Sequence, residues 1–132
     1  MPAIAISNGV RISPRKVAVV ASLVRGRSVA DALTILEHTP RRSAKAVADA
    51  VKSAKANAEH NHSFKPDTLF ITEISVMAGP RFKRFRPAAR GRALKFERKT
   101  SNIRVIVDGT KRVAKKTAEQ APELAEESKE TK

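Results

Sequence analysis

Three stretches of helical spacing, two stretches of strict alternation and one long connection between those two predict an α+β domain. The helical stretches come first and the clear strands last. The connection between the last two strands carries no helical crossover pattern, so they pair antiparallel.

The chain opens with Ile4, Ile6, Val10 and Ile12 on one parity, so residues 3–12 read as a strand, with Asn8-Gly9 as a break or bulge. Ser13-Pro14 follows. Ser is a good N-cap, and Pro at the first helical position gives up a donor that would be orphaned anyway. Val17, Val20, Ala21 and Val24 keep helical spacing until Gly26 ends the helix. Ser28-Val29-Ala30-Asp31 is a second capping signal, with an acid at the third helical position. Val29, Leu33 and Leu36 form its stripe, joined by Ala32 and Ile35. Thr39-Pro40 repeats the cap-then-Pro start and predicts a longer third helix reaching about residue 61. Ala44, Val47, Ala48, Val51, Ala54 and Ala58 mark its buried face, and Lys45, Lys52 and Lys55 lie mostly off it. Seven of the fifteen residues 44–58 are Ala, which favours helix and lets a neighbour pack close.

Residues 63–67 form a connection closed by Pro66. Phe70, Thr72, Ile74 and Val76 then alternate with Leu69, Ile71, Glu73, Ser75 and Met77, the clearest strand in the chain. Residues 103–107 form another, with Ile103, Val105 and Val107 on one face.

Composition narrows the function. The chain has 132 residues, one domain by length, with 27 Lys and Arg against 13 Asp and Glu, a net charge of +14. No Cys is present, so a disulfide scaffold, a Cys-ligated zinc site and a Cys nucleophile are excluded. No apolar run approaches the roughly 18 residues of a membrane span, so no membrane partner is expected. Residues 1–9 are too polar and too short for a signal peptide, which makes the cytoplasm the expected location. No Gly-rich phosphate loop, catalytic triad or paired-carboxylate motif occurs, so no enzyme, catalytic residue or cofactor is expected.

The charge is unevenly spread. Residues 1–80 carry a net +5, residues 81–99 a net +8, and the rest a net +1. Arg81, Lys83, Arg84, Arg86, Arg90, Arg92, Lys95, Arg98 and Lys99 stand against Glu97 alone. A compact domain rarely needs a connection as long as residues 79–101. Folded back between Pro87 and Gly91, each arm has about ten residues and projects roughly 30 Å. Phe82, Phe85 and Phe96 are interleaved with the cations. Guanidinium groups grip phosphates in a bidentate way, and aromatic or Arg planes stack on unpaired bases. A solvated basic loop is the bland alternative. Exposed Phe amid so much charge makes a poor soluble feature and a good one inside folded nucleic acid. Residues 110–132 are charged and poor in bulky apolar side chains, and read as a disordered or loosely helical tail.

Other polar residues have plainer readings. His60 and His62, near Glu59 and Asp67, point in different directions on a helix, so capping and surface polarity outweigh a metal site. His38 falls near a helix end, where it meets the dipole. Arg15 and Lys16 either bind phosphate at a helix N-terminus or are ordinary surface charges. Two further readings compete with RNA binding. One is a DNA-architectural protein with a β-arm in the minor groove; such arms normally come from dimers and carry Pro or apolar wedges at the tip, to which Pro87 is a weak match. The other is a metal-dependent nuclease built on Glu59, His60, His62 and Asp67.

Several separated motifs then agree. They are Ser13-Pro14-Arg15-Lys16, Leu23-Val24-Arg25-Gly26-Arg27-Ser28-Val29, Asn57-Ala58-Glu59-His60-Asn61-His62, Gly79-Pro80, Lys83-Arg84, Pro87, Arg90-Gly91-Arg92-Ala93 and Arg98-Lys99-Thr100-Ser101. In order and spacing they resemble the bacterial form of the large-subunit ribosomal protein twenty-two family, over about residues 3–108. The resemblance implies three helices packed on a small three-stranded antiparallel sheet, with a long protruding β-hairpin. Residues 1–109 would form one ribosomal-protein domain, with the hairpin at about 79–101 and the tail outside it. The resemblance implies a structural protein that binds 23S rRNA in several of its domains and supports subunit assembly. Its globular part would sit near the tunnel exit, beside neighbouring large-subunit ribosomal proteins. Its hairpin tip would form part of the nascent-peptide tunnel wall, where the family is associated with macrolide susceptibility and peptide-dependent stalling. No homo-oligomer is implied.

Carried onto this chain, the rRNA-binding positions are Ser13, Arg15, Lys16, Arg25, Arg81, Lys83, Arg84, Arg86, Arg90, Arg92, Lys95, Arg98 and Lys99. The tunnel-lining tip is Arg86, Pro87, Ala88, Ala89, Arg90, Gly91, Arg92 and Ala93, where the nascent polypeptide would pass. The chain departs from the family pattern at Met77, Ala78, Ala88, Leu94, Glu97 and Asn102.

Overall fold

A computed structural model describes residues 2–111. In chain order the elements are β1 (Ala3–Val10), α1 (Pro14–Val24), α2 (Val29–His38), α3 (Arg42–His60), β2 (Phe70–Pro87) and β3 (Ala93–Asp108). The α+β expectation holds: three helices and one three-stranded antiparallel sheet in the order β1-β3-β2. The tail reading for residues 110–132 falls, after Lys111, outside the described residues.

The core lies between the helices and one face of the sheet. α1 packs on β2, while α3 packs on β1 and β3. Val17, Val20, Ala21 and Val24 of α1 are buried, as their spacing predicts. They meet Ile71 and Ile74 of β2 and Ile103, Val105 and Val107 of β3 in one apolar cluster. From α3 come Ala44, Val47, Ala50, Val51, Ala54 and Ala58.

In β1 the core takes the small residues. Ala3 and Ala5 are buried, whereas Ile4 and Ile6 are 40% and 60% exposed on the opposite face. The alanine-rich face of α3 approaches this edge closely, and only a methyl-sized side chain fills the remaining space at native density. Asn57 of α3 donates to the Ile4 carbonyl at 2.9 Å and holds the two elements together. The predicted bulge is present: the register slips between Ser7 and Val10, and Gly9 takes φ +71°. Its N–H donates to Asn102 Oδ1 at 3.0 Å, so the bulge is tied to β3.

Two of the expected helix starts need correction. Pro14 opens α1 as predicted, but the Ser13 hydroxyl makes no cap bond. The Ser13 carbonyl does the work, accepting from the Lys16 and Val17 N–H groups. Thr39-Pro40 does not start α3. The Thr39 hydroxyl donates to the Ile35 carbonyl at 2.7 Å and closes α2, and α3 begins two residues past Pro40, at Arg42. The Thr39 hydroxyl is turned back toward the preceding turn, and no side-chain cap bond opens α3. The α2 signal holds in full. Ser28 Oγ accepts from the Asp31 N–H at 3.1 Å and donates to Asp31 Oδ2 at 2.7 Å.

β2 is bulged twice, between Ile71 and Glu73 and between Ala78 and Arg81. The first bulge explains why apolar residues occur on both parities. Leu69 and Ile71 face inward before it, and Ile74 and Val76 after it. The second marks the point where the hairpin leaves the domain.

Candidate nucleic-acid interface

Beyond the second bulge β2 and β3 continue as a regular two-stranded arm. Register partners run from Arg81↔Lys99 through Phe85↔Lys95 to Pro87↔Ala93. The nine residues from Gly79 to Pro87, eight steps of about 3.3 Å, span about 26 Å. No side chain on the arm from residue 81 to 99 is buried. The arm folds away from the core, as the sequence predicts for a segment built this way.

The pleat sorts its chemistry onto two faces, since alternate residues share a side. One face pairs Phe82 with Arg98, Arg84 with Phe96 and Arg86 with Leu94. There the Arg84 guanidinium lies 5.9 Å from the Phe82 ring and that of Arg86 lies 5.0 Å from the Phe96 ring. These contacts hold guanidinium groups over aromatic rings at the surface, where an incoming base can stack. The other face carries Arg81, Lys83, Lys95 and Lys99 with Glu97 and Phe85. Arg81 and Glu97 pair at 3.4 Å, an exposed contact of little energetic weight. Phe82 and Phe85 are 44% and 63% exposed.

The tip turns where Pro87 and Gly91 predict. Ala88 N–H donates to the Arg92 carbonyl at 2.8 Å, and one 3₁₀ turn covers Ala89–Gly91. Arg90 and Gly91 take φ +58° and +70°. Glycine adopts that conformation freely, while Arg90 pays about 1–2 kcal/mol to present its side chain there. Arg86, Arg90 and Arg92 are all exposed.

Residues from the globular part join the arm at its root. Ser13, Arg15, Arg81 and Lys99 line one cavity of about 440 Å³. Lys16 lines a second of about 450 Å³ with Ser13, Arg11, Arg41 and Arg42. Arg84, Arg98 and Lys99 line a third of about 550 Å³, again with Arg11 and Arg42. Lys83 and Lys95 lie further out, along the arm. Arg25 stands apart: its guanidinium donates to the Ile74 carbonyl at 2.9 Å, which ties α1 to β2. Sequence reasoning did not single out Arg11, Arg41 and Arg42. The Arg41-Arg42 doublet is visible in the sequence, but only the fold brings it beside Arg11 and Arg98.

The four residues of the nuclease reading are engaged elsewhere or scattered. Glu59 lies 3.7 Å from Lys55, and His62 stacks on Phe64 with ring centroids 5.7 Å apart. Among the described residues no three His, Asp or Glu side chains gather as a metal site. Among them, too, no helix is long and apolar enough to cross a membrane.

The family model described as ribosomal protein L22p/L17e matches residues 5–108. The chain is similar to the large ribosomal subunit protein uL22 of Herpetosiphon aurantiacus, 48% identical over 108 residues, covering 82% of this chain and 96% of the relative. That of Clostridioides difficile is 49% identical over 107 residues, covering 81% and 96%. That of Oceanobacillus iheyensis is 48% identical over 107 residues, covering 81% and 95%.

Proposed function

The chain belongs to the ribosomal protein L22p/L17e family and is a structural protein of the large ribosomal subunit, and from that premise we propose that it binds large-subunit rRNA and lends its hairpin tip to the wall of the nascent-peptide exit tunnel. The family is one of structural ribosomal proteins, not of enzymes. One observation carries the RNA reading: the arm holds nine cations against Glu97, buries none of its side chains, and leaves Phe82 and Phe85 in solvent. Such a segment adds nothing to the core and repels itself in free solution. A surrounding polyanion removes the repulsion and covers the rings.

The division of labour follows from the chemistry. Arg84, Arg86 and Arg98, spaced among Phe82 and Phe96, meet phosphates and unpaired bases. Arg81, Lys83, Lys95 and Lys99 neutralise backbone on the other face. Ser13, Arg15 and Lys16 hold the globular part to RNA, and Arg25 adds to that contact with the guanidinium nitrogens that Ile74 leaves free. Arg86, Pro87, Ala88, Ala89, Arg90, Gly91, Arg92 and Ala93 form the tip that the nascent polypeptide passes. The protein works in the cytoplasm, in contact with several rRNA domains and neighbouring subunit proteins, and supports subunit assembly.

Site-specific photocrosslinking tests this. A crosslinker at Phe85 in assembled subunits is expected to capture 23S rRNA, and one at Ala89 to capture a nascent chain in translating ribosomes. Capture at both positions of nothing but proteins from the subunit's outer surface would refute the tunnel placement.

A further inference from the structure

We propose that the acidic stretch of this chain's own C-terminal extension, Glu123 to Glu130, docks on the cationic root of the hairpin and serves as its counter-ion until RNA displaces it. The contact itself needs no RNA, while its displacement rests on the ribosomal reading. Residues 117–132 carry Glu119, Glu123, Glu126, Glu127 and Glu130 against Lys129 and Lys132, in a chain whose net charge is +14. The family match ends at residue 108, and 107 or 108 residues of this chain cover 95–96% of the length of the bacterial relatives. The extension therefore lies outside what the family shares, and its charge is opposite to that of the body.

Charge selects the target. Arg11, Lys16, Arg41, Arg42, Arg98 and Lys99 line two adjoining cavities that share Arg11 and Arg42. Among the described residues no Asp or Glu borders either cavity. The ion pairs among the described residues, Lys55–Glu59 and Arg81–Glu97, involve none of the six. Like charges gathered in this way raise the free energy of the isolated chain, and concave walls focus their field on an incoming anion. On α3, by contrast, Lys45, Lys52 and Lys55 alternate with Asp49 and Glu59.

Reach narrows the choice further. The Thr110 carbonyl accepts from the Lys65 N–H at 2.9 Å and Lys111 bridges to Phe64, so the chain leaves the body at the end of β3 away from the hairpin. Lys99 lies twelve residues before Lys111, at most about 40 Å away at about 3.3 Å per residue. Glu119, eight residues past Lys111, spans about 26 Å and falls short, and it has Lys115 and Lys116 beside it in the chain. Glu123 spans about 40 Å when fully extended, and Glu126, Glu127 and Glu130 span about 50–63 Å and arrive with slack. Gly91 at the tip lies twenty residues before Lys111, up to about 66 Å away, a distance that only a fully stretched Glu130 approaches. The root is thus the densest cationic site within reach of the acids. A tether of this length presents them to it at an effective concentration on the order of 1 mM.

The test uses the full chain. It has no Cys, so Ser128→Cys provides a single attachment point for a spin label. Without RNA and in dilute buffer, the amide signals of Arg11, Arg42 and Lys99 are expected to broaden, and those of Lys52 on α3 and Gly91 at the tip to stay sharp. The broadening should vanish in 1 M salt, where the Debye length is ~3 Å, and in the variant Glu123→Gln, Glu126→Gln, Glu127→Gln, Glu130→Gln. Unlabelled, that variant should bind a short uridine homopolymer about four- to tenfold more tightly than the natural chain in low salt, because four exposed ion pairs no longer compete. The control Glu37→Gln, Asp49→Asn, Asp67→Asn, Glu73→Gln raises the net charge equally from exposed positions on the body and should gain less than about twofold. Broadening confined to the residues beside Lys111, broadening spread evenly over the body, broadening lost on dilution, or equal gains in the two variants overturns the proposal. Failure of the ribosomal reading looks different: the broadening would persist, while the chain showed no preference for a large-subunit rRNA transcript over duplex DNA.

Discussion

Excising residues 82–98 separates what folds the protein from what the arm is for. Arg81 and Lys99 are register partners, so an Asn-Gly turn between them closes the ladder at the root. Fully buried apolar side chains end at Ile74 and resume at Ile103, so the excision opens no cavity. What is lost is two exposed cation–π contacts, the exposed Arg81–Glu97 pair and solvent-facing backbone bonds. Exposed contacts of these kinds contribute at most about 1 kcal/mol each and are offset by the shorter chain to be ordered. The melting temperature should therefore move by no more than about 8 °C. Ile74→Ala in the full chain, by contrast, should cost about 2–5 kcal/mol, because Ile74 is 1% exposed and its removal leaves a void. The RNA side has its own arithmetic. The excised segment holds Lys83, Arg84, Arg86, Arg90, Arg92, Lys95 and Arg98. At ~0.7 per phosphate of a single strand, seven contacts lower the salt slope of RNA binding by about 5. Thermal melts followed by circular dichroism, and salt titrations of RNA binding, measure both effects. A melting temperature that fell as far as in Ile74→Ala, or a salt slope that did not change, would refute the reasoning.

Two substitutions probe single contacts. Ser28→Ala removes the acceptor for the Asp31 N–H and should lower stability by about 1 kcal/mol in urea unfolding; no loss would mean that water caps α2 equally well. Gly79→Ala places a Cβ 2.6 Å from Thr100 Oγ1 and 3.1 Å from Asn102 Oδ1. Neither atom is free to retreat, since Thr100 is bonded to the Pro80 carbonyl and Asn102 to the Gly9 N–H. The expected cost is about 1–3 kcal/mol, with faster hydrogen exchange at the Gly9 amide; wild-type exchange there would show that the root relaxes without breaking its bonds.

Periodicity and composition are local properties, and what they predict here is what local physics controls. α1, α2 and α3 are legible because their apolar stripes repeat within a turn or two, and α2 also because Ser28 caps it locally. The hairpin is legible because residues 79–101 have too little apolar surface to be core and too much charge to be idle. The errors have the same origin. Thr39 is a plausible N-cap until the preceding turn is known to take its hydroxyl. Ile4 and Ile6 share the parity of Val10, but the close approach of α3 gives the inner positions of β1 to Ala3 and Ala5.

The root of the hairpin belongs wholly to the tertiary level. Arg11, Arg41-Arg42 and Arg98-Lys99 are separated by some thirty and more than fifty residues of chain. Sequence alone determined that this chain carries a cationic arm on a small α+β body, because charge and periodicity are properties of neighbours. The packing of α1 and α3 on the sheet decided where the remaining cations gather, because distance in space is set by buried contacts that no local pattern encodes.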